Sequence, residues 1–300
     1  MSQTELEASP GHSLLLWAAR TEQPGTLRVV CADAAEQVLS EPGETVIAWR
    51  GCLAELPRAL PFELLGEGAE RVVLVAGECG GGWLDEFTEL AQFVGLTDRV
   101  RGAGEPTPEA RPPREVLDAD AMPVLRRRSF FGLRATAEAA DPELPDRGGT
   151  AQHRLRSVIR ELVADMDAPG EAPEPGWGTG ALELVSQGCV ACRVCVKACP
   201  TEALALESAG GRAGLGFDPS LCTGCGTCVL VCDAKALTSP ARQGPPALLA
   251  APVLLELFDV LTCARCSAVF RGEGPYCPVC AFRIANPFGS TMPPGGYVRQ

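Results

Sequence analysis

Two cysteine runs dominate this sequence. Residues 189–200 read CVACRVCVKACP and residues 222–232 read CTGCGTCVLVC, with 21 residues, 201–221, between the two stretches. Each has the spacing C-x2-C-x2-C-x3-C, and the second repeats the first at an offset of 33 residues (189 to 222). Such tight spacing bends the chain so that thiols and backbone N–H groups converge on one centre. Thiolate is a soft donor and matches iron–sulfur cores. A stretch this short buries little apolar surface by itself, so whatever the cysteines hold contributes to folding.

The chain carries 15 cysteines in 300 residues. In a small secreted chain that count reads as a disulfide framework. Here residues 1–10, MSQTELEASP, lack the basic segment and the apolar run of a secretory leader. Twelve of the 15 cysteines fall into metal-type spacings. The expectation is a reducing cytoplasm in which thiols serve as ligands. No run reaches the roughly 18 apolar residues of a membrane span, and 247–261 is interrupted by Pro252, Glu256 and Asp259. A net charge of -12 disfavours nucleic acid and anionic membranes as partners. It suits a carrier that docks on a basic patch of a larger redox enzyme.

The stretch 181–239 resembles the bacterial dicluster ferredoxins. Its halves align as CVACRVCVKACPTEAL against CTGCGTCVLVCDAKAL. The resemblance implies a ferredoxin-like domain with two [4Fe–4S] clusters, in which the first three cysteines of a run ligate one cluster and the fourth ligates the other. By that rule Cys189, Cys192, Cys195 and Cys232 hold the first cluster, and Cys222, Cys225, Cys228 and Cys199 the second. Short helical stretches are expected at 201–204 and 234–237, and a hairpin turning at Gly210-Gly211 between the runs. Pro200 follows the first run as in that family, but Asp233 stands after the second. A carboxylate beside Cys232 disfavours the added electron, so a lowered potential is expected at the first cluster.

A second metal signature lies near the C-terminus. CARC and CPVC, ten residues apart, supply Cys263, Cys266, Cys277 and Cys280. Paired C-x2-C knuckles make a tetrahedral all-sulfur site that takes zinc or a single iron. Residues 253–285 resemble a zinc ribbon, with Phe270 and Tyr276 bracketing a hairpin turn at 271–274. The rival is rubredoxin, which CPVC also resembles. Rubredoxin's knuckles are each followed by Gly, whereas Ser267 and Ala281 stand there in this chain.

The N-terminal part alternates between strand and helix. Strands are predicted at 27–31, 45–49 and 71–76, and helices near 33–39, 53–65 and 84–94. This order implies a small parallel sheet, with ligands at the carboxyl ends of its strands. Cys31, Cys52 and Cys79 each lie at or just past such an end, the last followed by Gly80-Gly81-Gly82. They are either a redox or cluster site or buried thiols packed as small apolar groups. Residues 27–101 resemble the delta subunit of methyl-viologen-reducing hydrogenase, through RVVC at 28–31 and GAERVVLVAGEC at 68–79. That family is an iron–sulfur adaptor between hydrogenase and heterodisulfide reductase. Its early C-x2-C pair and its second cysteine after the third strand are missing here, so the resemblance implies the fold without the [2Fe–2S] cluster. Thioredoxin-like and flavodoxin-like sheets fit the periodicity equally.

The expected organisation is therefore α/β plus α+β: a small α/β domain at 14–101, a linker with helical segments at 102–180, the dicluster domain at 181–239 and the four-cysteine module at 253–285. Within the linker a helix is predicted at 151–166. Arg126, Arg127, Arg128 and Arg134 form a basic patch there. Arg127-Arg128-Ser129-Phe130-Phe131 resembles an export signal, but 133 onward has no apolar region to complete it. There is no P-loop and no G-x-G-x-x-G fingerprint. The function expected is single-electron transfer through two [4Fe–4S] clusters, as a carrier or a relay subunit of a hydrogenase, heterodisulfide reductase or dehydrogenase type of complex, without a catalytic residue or small-molecule substrate of its own. The alternatives are a redox enzyme working through Cys31, Cys52 and Cys79, and a redox-sensing regulator with a zinc ribbon.

Overall fold

The computed structural model of the chain describes residues 11–77, 82–122, 144–147, 149–164 and 181–287. They divide into two bodies. The first takes the residues up to 164 together with Gly244–Leu249, and the second takes 181–243 and 250–287. Cys79, Gly80, Gly81 and the Arg126–Arg134 patch lie outside the described residues. Among the described residues no helix is long and apolar enough to cross a membrane.

In the first body, β1 (Thr26–Cys31), β2 (Glu44–Trp49), β3 (Arg71–Val75), β4 (Val100–Gly102) and β5 (Val116–Asp118) form one sheet in the order β4-β3-β1-β2-β5. Every pair is parallel. The three predicted strands are its centre, each within one residue of the expected ends. β1 is buried from Leu27 to Cys31, as a central parallel strand must be.

Parallel crossovers are right-handed, so the direction of each step across the sheet decides which face its connection covers. The steps β2→β3 and β3→β4 run one way and carry α2 (Leu60–Gly66) and α3 (Leu84–Phe93). With α1 (His12–Arg20) and α4 (Ala151–Leu162) these helices bury one large core, including Leu14, Leu27, Ile47, Phe62, Leu74, Phe87 and Ile159. The steps β1→β2 and β4→β5 run the other way. They cover a smaller cluster of Val30, Val38 and Val46, and Ser40 and Arg111 tie the two connections together through reciprocal backbone hydrogen bonds of 2.9 and 3.0 Å.

Three expectations change here. The stretch 33–39 is a 3-10 turn at Ala32–Ala34 followed by turns. The connection is too short for a helix, because its last residues make the turn into β2, with Gly43 at φ 87° and the Glu41 N–H donating to Glu44 at 2.8 Å. The predicted helix at 53–65 breaks into a 3-10 turn at Leu53–Glu55 and α2. Pro57 forces Leu56 into an extended conformation, ψ 129°. The stretch 102–114, read as linker, recrosses the sheet and delivers β5 to the open edge of β2. Pairing there satisfies backbone groups that would otherwise face solvent.

Helix α4, predicted as 151–166, is capped by Thr150, whose Oγ1 accepts from the His153 N–H at 3.2 Å. It packs on α2, and a buried ion cluster secures the contact. The Arg147 side chain, 5% exposed, reaches Glu67 at 2.8 Å and Glu161 at 3.0 Å, while Arg154 faces Glu63 at 3.4 Å.

In the second body, β6 (Leu182–Ser186) pairs antiparallel with β9 (Leu237–Arg242). β7 (Leu204–Ala209) and β8 (Arg212–Phe217) form the predicted hairpin, with Gly210 and Gly211 both at positive φ in the turn. β10 (Val253–Asp259) adds to this hairpin in the order β10-β8-β7. The helices expected at 201–204 and 234–237 do not form. β7 and β9 begin there, because Leu204, Leu206 and Leu237 are wanted in the core. The short helices lie inside the cysteine runs instead, as α5 (Val194–Ala198) and α6 (Thr227–Leu230).

Candidate iron–sulfur and metal centres

The offset of the two cysteine runs is repeated in the backbone. Left-handed conformations occur at Ala191, Arg193 and Glu202, with φ of 63°, 61° and 57°. Thirty-three residues later they recur at Gly224, Gly226 and Lys235, with φ of 70°, 75° and 51°. The second run meets this requirement largely with glycine; the first holds two side chains in a conformation L-residues seldom adopt. The turns aim backbone N–H groups at sulfur. Cys222 Sγ accepts from Gly224 at 3.4 Å and from Leu182 at 3.5 Å, and Cys199 Sγ accepts from Ala203 at 3.3 Å.

The cysteines gather in two crossed sets. One apolar cavity is lined by Cys189, Cys192, Cys195 and Cys232, with Leu206, Leu215 and Leu237 at its back. The other is lined by Cys199, Cys222, Cys225 and Cys228, with Leu184, Leu204 and Phe217. In each, the fourth cysteine of one run joins the first three of the other. Cys192 and Cys225 are exposed, so each cavity reaches the surface at the middle of its run, while Cys195 and Cys228 are buried. Burial, reinforced by the neighbouring cysteines, pushes the Cys195 and Cys228 thiols up to about 11. Without a cation among them these groups are neutral thiols near pH 7. An iron core that binds them as thiolates outweighs both effects with its positive charge and releases their protons. The donor set fits a [4Fe–4S] cube at each position: four soft sulfurs, an apolar wall and N–H groups directed at the sulfurs.

Residues 188–236 match the family model described as a 4Fe-4S dicluster domain. No curated protein matches the chain. The middle of the chain is thus an iron–sulfur dicluster domain, which supports a role in electron transfer.

The four knuckle cysteines form a separate cluster. Their sulfurs all lie within 4.8 Å of one another, and Cys266 Sγ is 3.8 Å from Cys277 Sγ. A tetrahedron with metal–sulfur bonds of about 2.3 Å has edges of about 3.8 Å, so the group has the size of a metal site, for zinc or iron alike. The strands β11 (Leu261–Thr262) and β12 (Val269–Phe270) flank the first knuckle, not the turn at 271–274 as expected. Cys277 instead caps α7 (Pro278–Ala285), with Pro278 at its start. A helix there leaves no second strand to complete a hairpin around 271–274. Ser267 takes the left-handed conformation, φ 59°, in the place where rubredoxin has glycine. Cys263 is lowered to about 6, chiefly because the Cys277 N–H points at its sulfur, while burial and the neighbouring cysteines push Cys280 up to about 12.

Cys31 and Cys52 are close. Cys31 is 1% exposed, and its Sγ accepts at 3.4 Å from the N–H of Leu53, the residue after Cys52. Cys52 Sγ caps the 3-10 turn by accepting from Ala54 at 3.3 Å. Asp233 is exposed, so solvent screens its charge from the first cavity.

Two residues at this site carry no motif. Glu256 on β10 accepts from Ser186 Oγ at 2.8 Å and from the Gly188 and Cys189 N–H groups at 3.0 Å each. Burial alone would raise its carboxyl, but hydrogen bonds from Cys189, Ser186, Arg271 and Gly188 hold it below the usual carboxylate range. Arg271, in the turn between the knuckles, donates to the same carboxylate at 2.7 Å. The only trace in the sequence is an acidic residue inside an apolar run, with a second one, Asp259, closing the strand VLLELFD.

Proposed function

We propose that this chain is an electron-relay protein working as a subunit or partner of a larger oxidoreductase, of the hydrogenase, heterodisulfide reductase or dehydrogenase type, in the cytoplasm. The observation that carries this reading is the pair of crossed four-cysteine cavities, each closed by apolar side chains on one side and reaching the surface at Cys192 or Cys225 on the other. Clusters bound there accept and release single electrons. The chain's own residues hold them, keep water from their inner faces and present an outer edge to a partner. The reading assigns the dicluster segment no bond chemistry of its own, and the acidic chain suits a basic docking surface. A thiol-based reaction at Cys31 finds less support, because that sulfur is sealed in the core of the first body.

Purified without oxygen, the protein is expected to be brown, to bleach with dithionite and to give the EPR signals of reduced [4Fe–4S] clusters. A folded, colourless, iron-free chain overturns the relay.

The knuckle site is read as a zinc site of structural role, since Ser267 and Ala281 replace rubredoxin's glycines. Replacing Cys277 with Ser is expected to abolish its zinc while the iron content stays. Metal analysis that finds zinc unchanged removes Cys277 from the ligand set.

A further inference from the structure

We propose that Glu256 and Arg271 form a charge lock on the Cys189 cluster that sets its reduction potential apart from that of the second cluster. The inference rests on the relay reading above. Its evidence is a break in an otherwise repeated geometry. In the second run, the N–H groups of Leu221 and Cys222 donate to the backbone carbonyls of Asp218 and Pro219, at 3.2 and 3.1 Å. At the matching positions of the first run, the N–H groups of Gly188 and Cys189 donate to the Glu256 carboxylate, at 3.0 Å each. A neutral acceptor on one side is thus replaced by a full negative charge on the other, one residue from a ligand sulfur.

The carboxylate is built into place. β10 shifts register between Leu254 and Glu256, a bulge that re-aims the side chain. Glu256 is 15% exposed at its side chain, so its charge is poorly screened. Arg271 compensates it from the knuckle turn, with its guanidinium 5.2 Å from the centre of the Phe258 ring and a longer contact of 3.4 Å to the Cys189 carbonyl. The four-cysteine module therefore holds the counter-charge of an iron–sulfur site to which it contributes no ligand.

Reduction adds one electron, and one negative charge, to a cluster and its thiolates. A nearby carboxylate opposes that step and a nearby guanidinium favours it. The test is an EPR-monitored redox titration of the full-length protein with dithionite as donor. Glu256→Gln is expected to raise one of the two potentials, and Arg271→Gln to lower the same one, each by about tenfold in the reduced-to-oxidised ratio, or about 59 mV for one electron. The other potential stays. A Cys225→Ser background, which alters the second cluster's own signal, shows that the cluster that moves is the first. A purely structural lock would make both substitutions act in the same direction. Arg271→Lys keeps the charge and is expected to restore the wild-type value. If Glu256→Gln loses the first cluster, the contrast between Arg271→Gln and Arg271→Lys decides. Two reducible clusters whose potentials ignore these changes, or shift in one direction for both, overturn the lock and leave the relay intact. A wild-type chain with no reducible cluster overturns the relay itself.

Discussion

Removing the iron is expected to unfold the dicluster segment while the parallel-sheet body keeps its structure. The reason is the composition of the second core. Cys195 and Cys228 are among its buried members, and Cys189, Cys199, Cys222 and Cys232 pack against it. These sulfurs line the two cavities, so without iron the dicluster segment keeps only its small apolar core and loses the bonds that close its two halves on each other. Structural metal sites of comparable donor type contribute about 10–16 kcal/mol to folding. That is comparable to the whole net stability of a domain, about 5–15 kcal/mol. The first body draws on a separate apolar core, from Leu14 to Ile159, that contains no cluster cysteine. Hydrogen exchange before and after anaerobic treatment with an oxidant and a chelator measures the difference. Protection should vanish from β6 to β9 and persist in β1, β2 and β3. Unchanged protection around β7 and β8 would show that the hairpin stands without its clusters.

Replacing Arg147 with Met is expected to destabilise the first body by about 3–5 kcal/mol, the usual result of removing one partner from a buried ion cluster. Its guanidinium is 5% exposed and holds Glu67, itself 9% exposed. The substitution would strand that carboxylate between α2 and α4. Gly66 shows how closely the arginine fits, because a Cβ there would lie 2.7 Å from Arg147 Nη2. Urea melts followed by tryptophan fluorescence report on this body through Trp17 and Trp49, both in its core. The double substitution of Arg147→Met with Glu67→Gln should recover part of the loss, since no unpaired charge then remains at Glu67. A single substitution that costs under about 1 kcal/mol would place the pair among the weak surface bridges.

The residues themselves made much of this legible. The three central strands are short Val- and Ile-rich runs that only a buried parallel sheet can use, and they stand within a residue of where periodicity puts them. The cysteine spacing fixes two turns, because x2 loops around a shared centre leave the chain few other paths. The turn at Gly210-Gly211 follows from the need for positive φ. Misreadings cluster where local pattern is silent. Residues 102–114 look like a linker because Pro and charge dominate them, yet an unpaired edge of β2 recruits the strand that follows. The helices assigned to 201–204 and 234–237 have fair helix formers, but core demand for Leu204 and Leu237 converts them to strand.

The sequence by itself determined the kind of chemistry and its place, since thiols at fixed short spacing act locally and need no distant partner to define a centre. Only the tertiary structure decided which charges stand near those centres. Glu256 meets Cys189 and Arg271 meets Glu256 because a bulged strand pairs with β8 and lays a distant turn beside the first run. Arg147 and Glu67 meet for a similar reason, across helices far apart in the chain. Ion pairs and carboxylate caps between remote segments leave no periodic mark, because their geometry exists only once the backbone has closed around them.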